Sequence, residues 1–151
     1  MKLEKNKKLI NSSIIIIIIF FLDRLSKLYI LSLANTDSSL DIFITKYLNI
    51  YLIWNEGIAY GLLSFAQSSI YNVITAIIVI ISIAVYVLII NSNDIRFYFY
   101  SMVFGGAIGN LFDRFYYSAV PDFIDLHINN YHWFIFNVAD IFITIGVICL
   151  I

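Results

Sequence analysis

Four apolar stretches, each near the length a helix needs to cross a bilayer, constrain this chain more than any other feature. At a rise of 1.5 Å per residue, about 20 mostly apolar residues span a hydrocarbon core of roughly 30 Å. The first stretch runs from Leu9 to Leu33 around the run Ile14 to Leu22. The second is Ile70 to Ile90, the third Phe97 to Tyr117 with polar residues late, and the fourth Trp133 to Ile151 with polar residues early. Composition agrees: 62% of the 151 residues are hydrophobic and 13% charged, where soluble domains average about 45–50% and 25%. The expected fold is an all-α integral membrane protein, one domain of four transmembrane helices over residues 1–151. A net charge of −1 supplies no basic field for nucleic acid. The single cysteine, Cys149, lies in the last apolar run, where a small packing role fits better than a thiolate or a metal ligand.

Lys5, Lys7 and Lys8 before an apolar run, followed by Ser32-Leu33-Ala34, also resemble a cleavable signal peptide. Asp23, Arg24 and Lys27 stand between the run and that site, so a retained span is expected. Basic residues close to span ends favour the cytoplasm. Lys2, Lys5, Lys7 and Lys8 crowd the N-terminus and Arg96 sits between spans two and three. Both termini are then expected to be cytoplasmic, and the segments of about 34–69 and 118–132 to face outward.

Under that topology the polar groups of the spans collect on one side. Asp23 and Lys27 lie at the outward end of span one, Asn110, Asp113 and Arg114 at that of span three, and Asn137 and Asp140 at that of span four. Asn55 and Glu56 belong to the outward loop itself. Ionisable residues inside spans are costly and mark candidate functional sites. Asp23 with Lys27 and Asn110 with Arg114 are i,i+4 neighbours, and Asn137 with Asp140 are i,i+3. Asp23–Lys27 and Asp113–Arg114 also suit simple interfacial charge pairs, and the asparagines suit interhelical hydrogen bonds. Gly105 and Gly109 form a G-x-x-x-G step, a close helix-packing face. Asp140, about 10 Å into its span by helical rise, has no cation at helical spacing and needs a partner from elsewhere.

Asp122 or Asp125, in Val120-Pro121-Asp122-Phe123-Ile124-Asp125, is the natural partner. Two close carboxyls share a proton, which gives acid–base hydrolysis without metal or nucleophile. His127 and His132 beside those aspartates raise a metal alternative, but their spacing matches no helical zinc motif, so no metal or other cofactor is expected. A serine or cysteine triad lacks a nucleophile near either histidine. Between spans one and two, Asp41 to Trp54 is rich in Ile, Tyr and Leu and breaks at Asn55-Glu56-Gly57. That pattern predicts a hairpin or small β platform at the membrane surface, either an edge for an extended substrate strand or a packed cap.

Together the motifs resemble the lipoprotein signal peptidase family, or signal peptidase II, over nearly the whole chain and in order. Asp23-Arg24-Leu25-Ser26-Lys27 resembles its D-x-x-S-K block, and Asn55-Glu56-Gly57-Ile58-Ala59-Tyr60 its N-x-G-x-A-[FY] block. The segment from Gly105 to Arg114 resembles G-G-A-x-G-N-x-x-D-R, Val120 to Phe123 resembles V-x-D-F, and Phe136 to Asp140 resembles F-N-x-A-D. The resemblance implies a four-span aspartyl endopeptidase of the bacterial cytoplasmic membrane with its site at the outer face. Its catalytic aspartates fall on Asp122 and Asp140, leaving Asp125 a lesser role. Supporting positions fall on Asp23, Lys27, Asn55, Gly57, Asn110, Asp113, Arg114, Asn137 and Ala139. The implied partners are membrane lipids and a prolipoprotein cut on the N-terminal side of a diacylglyceryl-modified cysteine, and the cyclic peptide globomycin is the expected inhibitor.

Three departures touch loop geometry rather than carboxylates: Pro121 where Val is usual, Gly61 where Ser is common, and Phe134 where Pro often stands. Pro121 restricts the backbone before Asp122. Two other function classes fit intramembrane charge, a proton-coupled carrier and a non-catalytic scaffold. A carrier needs polar groups through both halves of the bundle, whereas here they stop at one side.

Overall fold

The computed structural model describes residues 2–34, 40–56, 67–129 and 131–151. Four helices follow the apolar stretches: α1 (Lys2–Ala34), α2 (Gln67–Asn91), α3 (Arg96–Tyr117) and α4 (Val138–Ile148). α3 is central and packs against each of the other three. Glycines allow two of those approaches. A Cβ on Gly105 would lie 3.1 Å from the Ile19 side chain of α1, and one on Gly106 only 2.5 Å from the Ala139 carbonyl oxygen of α4. The G-x-x-x-G step expected to bring helices together does so, with Gly105 and Gly109 facing α1 while Gly106 faces α4.

The small β platform expected beside the helices is larger than one loop supplies: it is a four-stranded antiparallel sheet. The hairpin foreseen after α1 is present as β1 (Asp41–Thr45) and β2 (Leu48–Asn55). The second outward segment adds β3 (Val120–Ile128) and β4 (Tyr131–Phe136), giving the order β1-β2-β3-β4. The fourth apolar stretch therefore does not begin a helix at residue 133. Its aromatic start, Trp-Phe-Ile-Phe, belongs instead to β4, which pairs with β3 as such residues favour, and α4 begins at Val138 after an extended Asn137 (φ −125°). Apolar content alone did not separate strand from helix there.

Sheet and bundle are joined by a small core of Ile30, Leu40 and Phe123, flanked by Leu33, Leu52 and Val138. Beyond it, burial is inverted. Leu25, Ile80, Ile83 and Phe115 are exposed while Asp23, Lys27, Asp113 and Asn137 are fully buried, the pattern expected where lipid replaces water around a bundle. By length and composition, Tyr71–Asn91 is the one helix among the described residues able to cross a membrane. α4 is apolar but 11 residues long, and α1 and α3 carry the buried charges. At the far end from those charges, Lys8 Nζ donates to the Ile90 and Ser92 carbonyls at 2.8 and 2.6 Å. Lys8 thus ties α1 to the end of α2 and the turn that precedes Arg96.

Candidate active site

Lys27 organises the charged end of the bundle. An ammonium has three donors, and each is used: to Asp23 Oδ2 at 2.8 Å, Asp113 Oδ2 at 2.7 Å and Asn110 Oδ1 at 2.9 Å. The Asp23–Lys27 pair expected along α1 is present. Asp113 pairs not with its neighbour Arg114 but with Lys27 and with Arg24, whose Nη2 is 2.5 Å from Asp113 Oδ1. Consecutive residues point to different helix faces, so a 113–114 pair was geometrically poor. Arg24 also lies over the Phe112 ring, 4.9 Å from its centroid. Its place in the network was missed, although it sits inside the D-x-x-S-K block. Asp23 reaches α4 too, its Oδ1 accepting from the Ala139 N–H at 3.0 Å. Gly109 makes room for that carboxylate, since a Cβ there would stand 2.7 Å from Asp23 Oδ2.

From this network the polar contacts step outward to Asp140 and Asp122. Asn110 accepts from Lys27 and donates through Nδ2 to Asp140 Oδ1 at 2.8 Å. Asn137 caps α4 reciprocally: its Oδ1 accepts from the Asp140 N–H at 3.1 Å, and its own N–H donates to Asp140 Oδ2 at 3.1 Å. This is a capping box with Asp in the N3 place. The remaining donor of Asn137, Nδ2, reaches Asp122 Oδ1 at 2.6 Å. Asp122 Oδ2 accepts from Asn55 Nδ2 of β2 at 2.9 Å. One residue thus touches both carboxyl groups, which come from β3 and α4.

Asp122 is 1% exposed. Burial pushes its carboxyl up to about 6; donors from Asn55 and Asn137 oppose the rise and the nearby Asp140 charge adds to it. Arg114 is buried against α2, its guanidinium 5.3 Å from the Tyr71 ring centroid. Its Nε and Nη1 have no hydrogen-bond partner among the described residues. Asp125, the alternative partner for Asp140, instead lies 2.8 Å from His132. Gly57 lies outside the described residues.

Comparison with solved structures bears on the class of molecule. Two chains described as bacterial membrane enzymes superpose with TM-scores of 0.72 and 0.70, at 33% and 31% identity. Each match covers 93% of this chain, and 89% and 84% of the solved chains. The fold, with its inverted burial and buried carboxyl cluster, is that of a membrane enzyme.

The family model described as signal peptidase (SPase) II matches residues 15–151. A lipoprotein signal peptidase of Pelagibacter ubique is 56% identical over 138 residues, 91% of this chain and 83% of the relative. One from Anaplasma phagocytophilum is 40% identical over 144 residues, 94% and 90% of the two chains. This chain belongs to the signal peptidase II family of proteases.

Proposed function

We propose that this protein removes signal peptides from prolipoproteins, using Asp122 and Asp140 as a pair that activates water. The observation that supports this most directly is Asn137, which hydrogen-bonds both carboxyl groups at once. Like charges held close share a proton, and an Asp122 pushed up to about 6 fits that sharing. The ionised member takes a proton from water as the oxygen attacks the scissile carbonyl carbon. The protonated member donates to the carbonyl oxygen. When the tetrahedral species collapses, the C–N bond breaks and the proton gained from water passes to the leaving amine. Arg114, with guanidinium donors unused among the described residues, would orient a substrate carbonyl.

In this reading the helical bundle is embedded in the bacterial cytoplasmic membrane with α2 spanning it, both termini inside and the sheet at the outer face. Exposed Phe43, Trp54, Tyr131 and Phe134 on that sheet suit the headgroup zone. A diacylglyceryl-modified cysteine would hold its N-terminal peptide bond at that depth, and globomycin would compete for the same place.

The test is incubation of the purified protein with a diacylglyceryl-modified prolipoprotein. Asp122→Asn and Asp140→Asn are each expected to abolish cleavage while the protein still inserts. Normal processing by either variant refutes the pair. Full activity in strong chelator is also expected; its loss would favour a catalytic metal.

A further inference from the structure

The two histidines of this chain stand directly opposite each other in the β3–β4 hairpin, His127 against His132. Their ring centroids are 5.3 Å apart. Asp125 lies two residues before His127 on β3, and its Oδ2 is 2.8 Å from His132 Nδ1 and 3.5 Å from His127 Nδ1. One ligand-type atom from each of the three lies within 4.8 Å of the others. The Asp125 and His127 side chains are 1% and 9% exposed, that of His132 53%.

Orphaned acceptors gather in the same patch. Asp125 Oδ1, His127 Nδ1 and Asn49 Oδ1 are buried without a hydrogen-bond partner among the described residues, and Asn49 stands opposite Asp125 on β2. Buried acceptors left in this state call for a water or an ion. None of these groups contacts Asp122 or Asp140 through a described hydrogen bond.

We propose that Asp125, His127 and His132 bind a divalent cation of the zinc type, clamping β3 to β4. Two imidazoles and one carboxylate suit borderline first-row cations, whereas calcium and magnesium prefer all-oxygen shells. Tetrahedral zinc with bonds of about 2.0–2.1 Å sets its ligand atoms roughly 3.3 Å apart. The two Asp125 separations bracket that value, and the half-exposed His132 ring has room to turn inward and close the remaining gap. A water fills the fourth position, where the Asn49 amide oxygen can accept a hydrogen bond from it. The clamp would act on the site at a distance. β3 carries Asp122 three residues before Asp125, and β4 runs directly into Asn137. A cation here stiffens the two strands that position the pair and takes no part in the hydrolysis, so activity in chelator persists while stability falls.

The experiment is titration of chelator-stripped, tag-free protein in detergent with zinc chloride, followed by calorimetry and thermal unfolding, with cobalt chloride as a spectroscopic substitute. One equivalent per chain and a raised Tm are expected. Losing an outer-shell partner already costs roughly 10–100-fold in metal affinity, so His132→Ala should weaken binding by at least about 100-fold. The double variant His127→Ala/His132→Ala should show neither binding nor the Tm rise. Absence of saturable binding to the unaltered protein overturns the proposal. So does one-equivalent binding that survives the double variant, which would point to Cys149 or the carboxyl cluster instead.

Discussion

Replacing Asn137 by alanine removes one side chain that serves both carboxyl groups, and its consequences can be worked out in sign and size. The amide is fully buried, accepting from the Asp140 N–H at 3.1 Å and donating to Asp122 Oδ1 at 2.6 Å. Loss of an Asn cap costs about 0.5–2 kcal/mol. Loss of a hydrogen bond to a charged group costs about 1.5–3 kcal/mol, for a combined destabilisation of roughly 2–5 kcal/mol. The backbone N–H of residue 137 still serves Asp140 Oδ2, so Asp140 is loosened less than Asp122. An N–H aimed at a carboxylate favours its ionised form, so removing it lifts the Asp122 carboxyl further above its present value of about 6. One pH unit corresponds to about 1.36 kcal/mol. Asn55 remains as a donor, which limits the displacement to about one pH unit. The assay is the pH dependence of kcat/KM for prolipoprotein cleavage, whose acid limb reports ionisation of the free enzyme's base. In Asn137→Ala that limb should move about one unit toward higher pH, with a lower plateau. A lower plateau with the limb unmoved, or moved toward acid, would refute the dual role of Asn137.

Two further perturbations probe the same cluster. The Asp122 carboxyl rises from 3.8 to about 6 on folding, so its contribution to stability is present below about pH 4 and is lost as pH rises through about 6. The difference in unfolding free energy between Asp122→Asn and the unaltered protein is therefore expected to move in the variant's favour by up to about 3 kcal/mol between about pH 4 and about pH 8; a pH-independent difference would contradict this. Lys27→Met strips the ammonium from between Asp23 and Asp113, all of them fully buried. Breaking such a pair costs about 3–5 kcal/mol, to be read as a lowered Tm by tryptophan fluorescence in micelles, and an unchanged Tm would show that the network does not lock the helices.

Much of this site was legible in the sequence because helical periodicity does part of the assembly. Asp23 and Lys27 meet through i,i+4 spacing alone, and Asn137 and Asp140 through an N-cap whose signature is local. The three helices of more than 20 residues also fell where apolar length placed them. What the sequence did not disclose depends on pairing across long separations. Residues 133–136, the larger part of β4, read as the start of a helix because they continue into the apolar run that follows, and only the partner β3 makes them a strand. The choice between Asp122 and Asp125 was open from residues alone, as both lie near α4 in the chain. Register separates their surroundings: Asp122 stands opposite Ile53, near Asn55, and Asp125 opposite Asn49 and Ile135. Arg24 escaped because its partner Asp113 lies on another helix.

The distribution of charge explains why neutral amides surround the two carboxyls. Lys27 and Arg24 are spent on Asp23 and Asp113. Asp140 takes its described hydrogen bonds from Asn110 and the Asn137 backbone, and Asp122 from Asn55 and Asn137. A cation in direct contact with either would favour full ionisation and remove the proton that the proposed mechanism has the pair share. An amide orients a carboxyl while biasing its protonation far less than a full charge does. Asn110 carries this division of labour, with Lys27 on its oxygen and Asp140 on its nitrogen. The ammonium can thus tie α1 to α3 one amide away from the proposed chemistry, holding the helices firmly without quenching the acid that this mechanism requires.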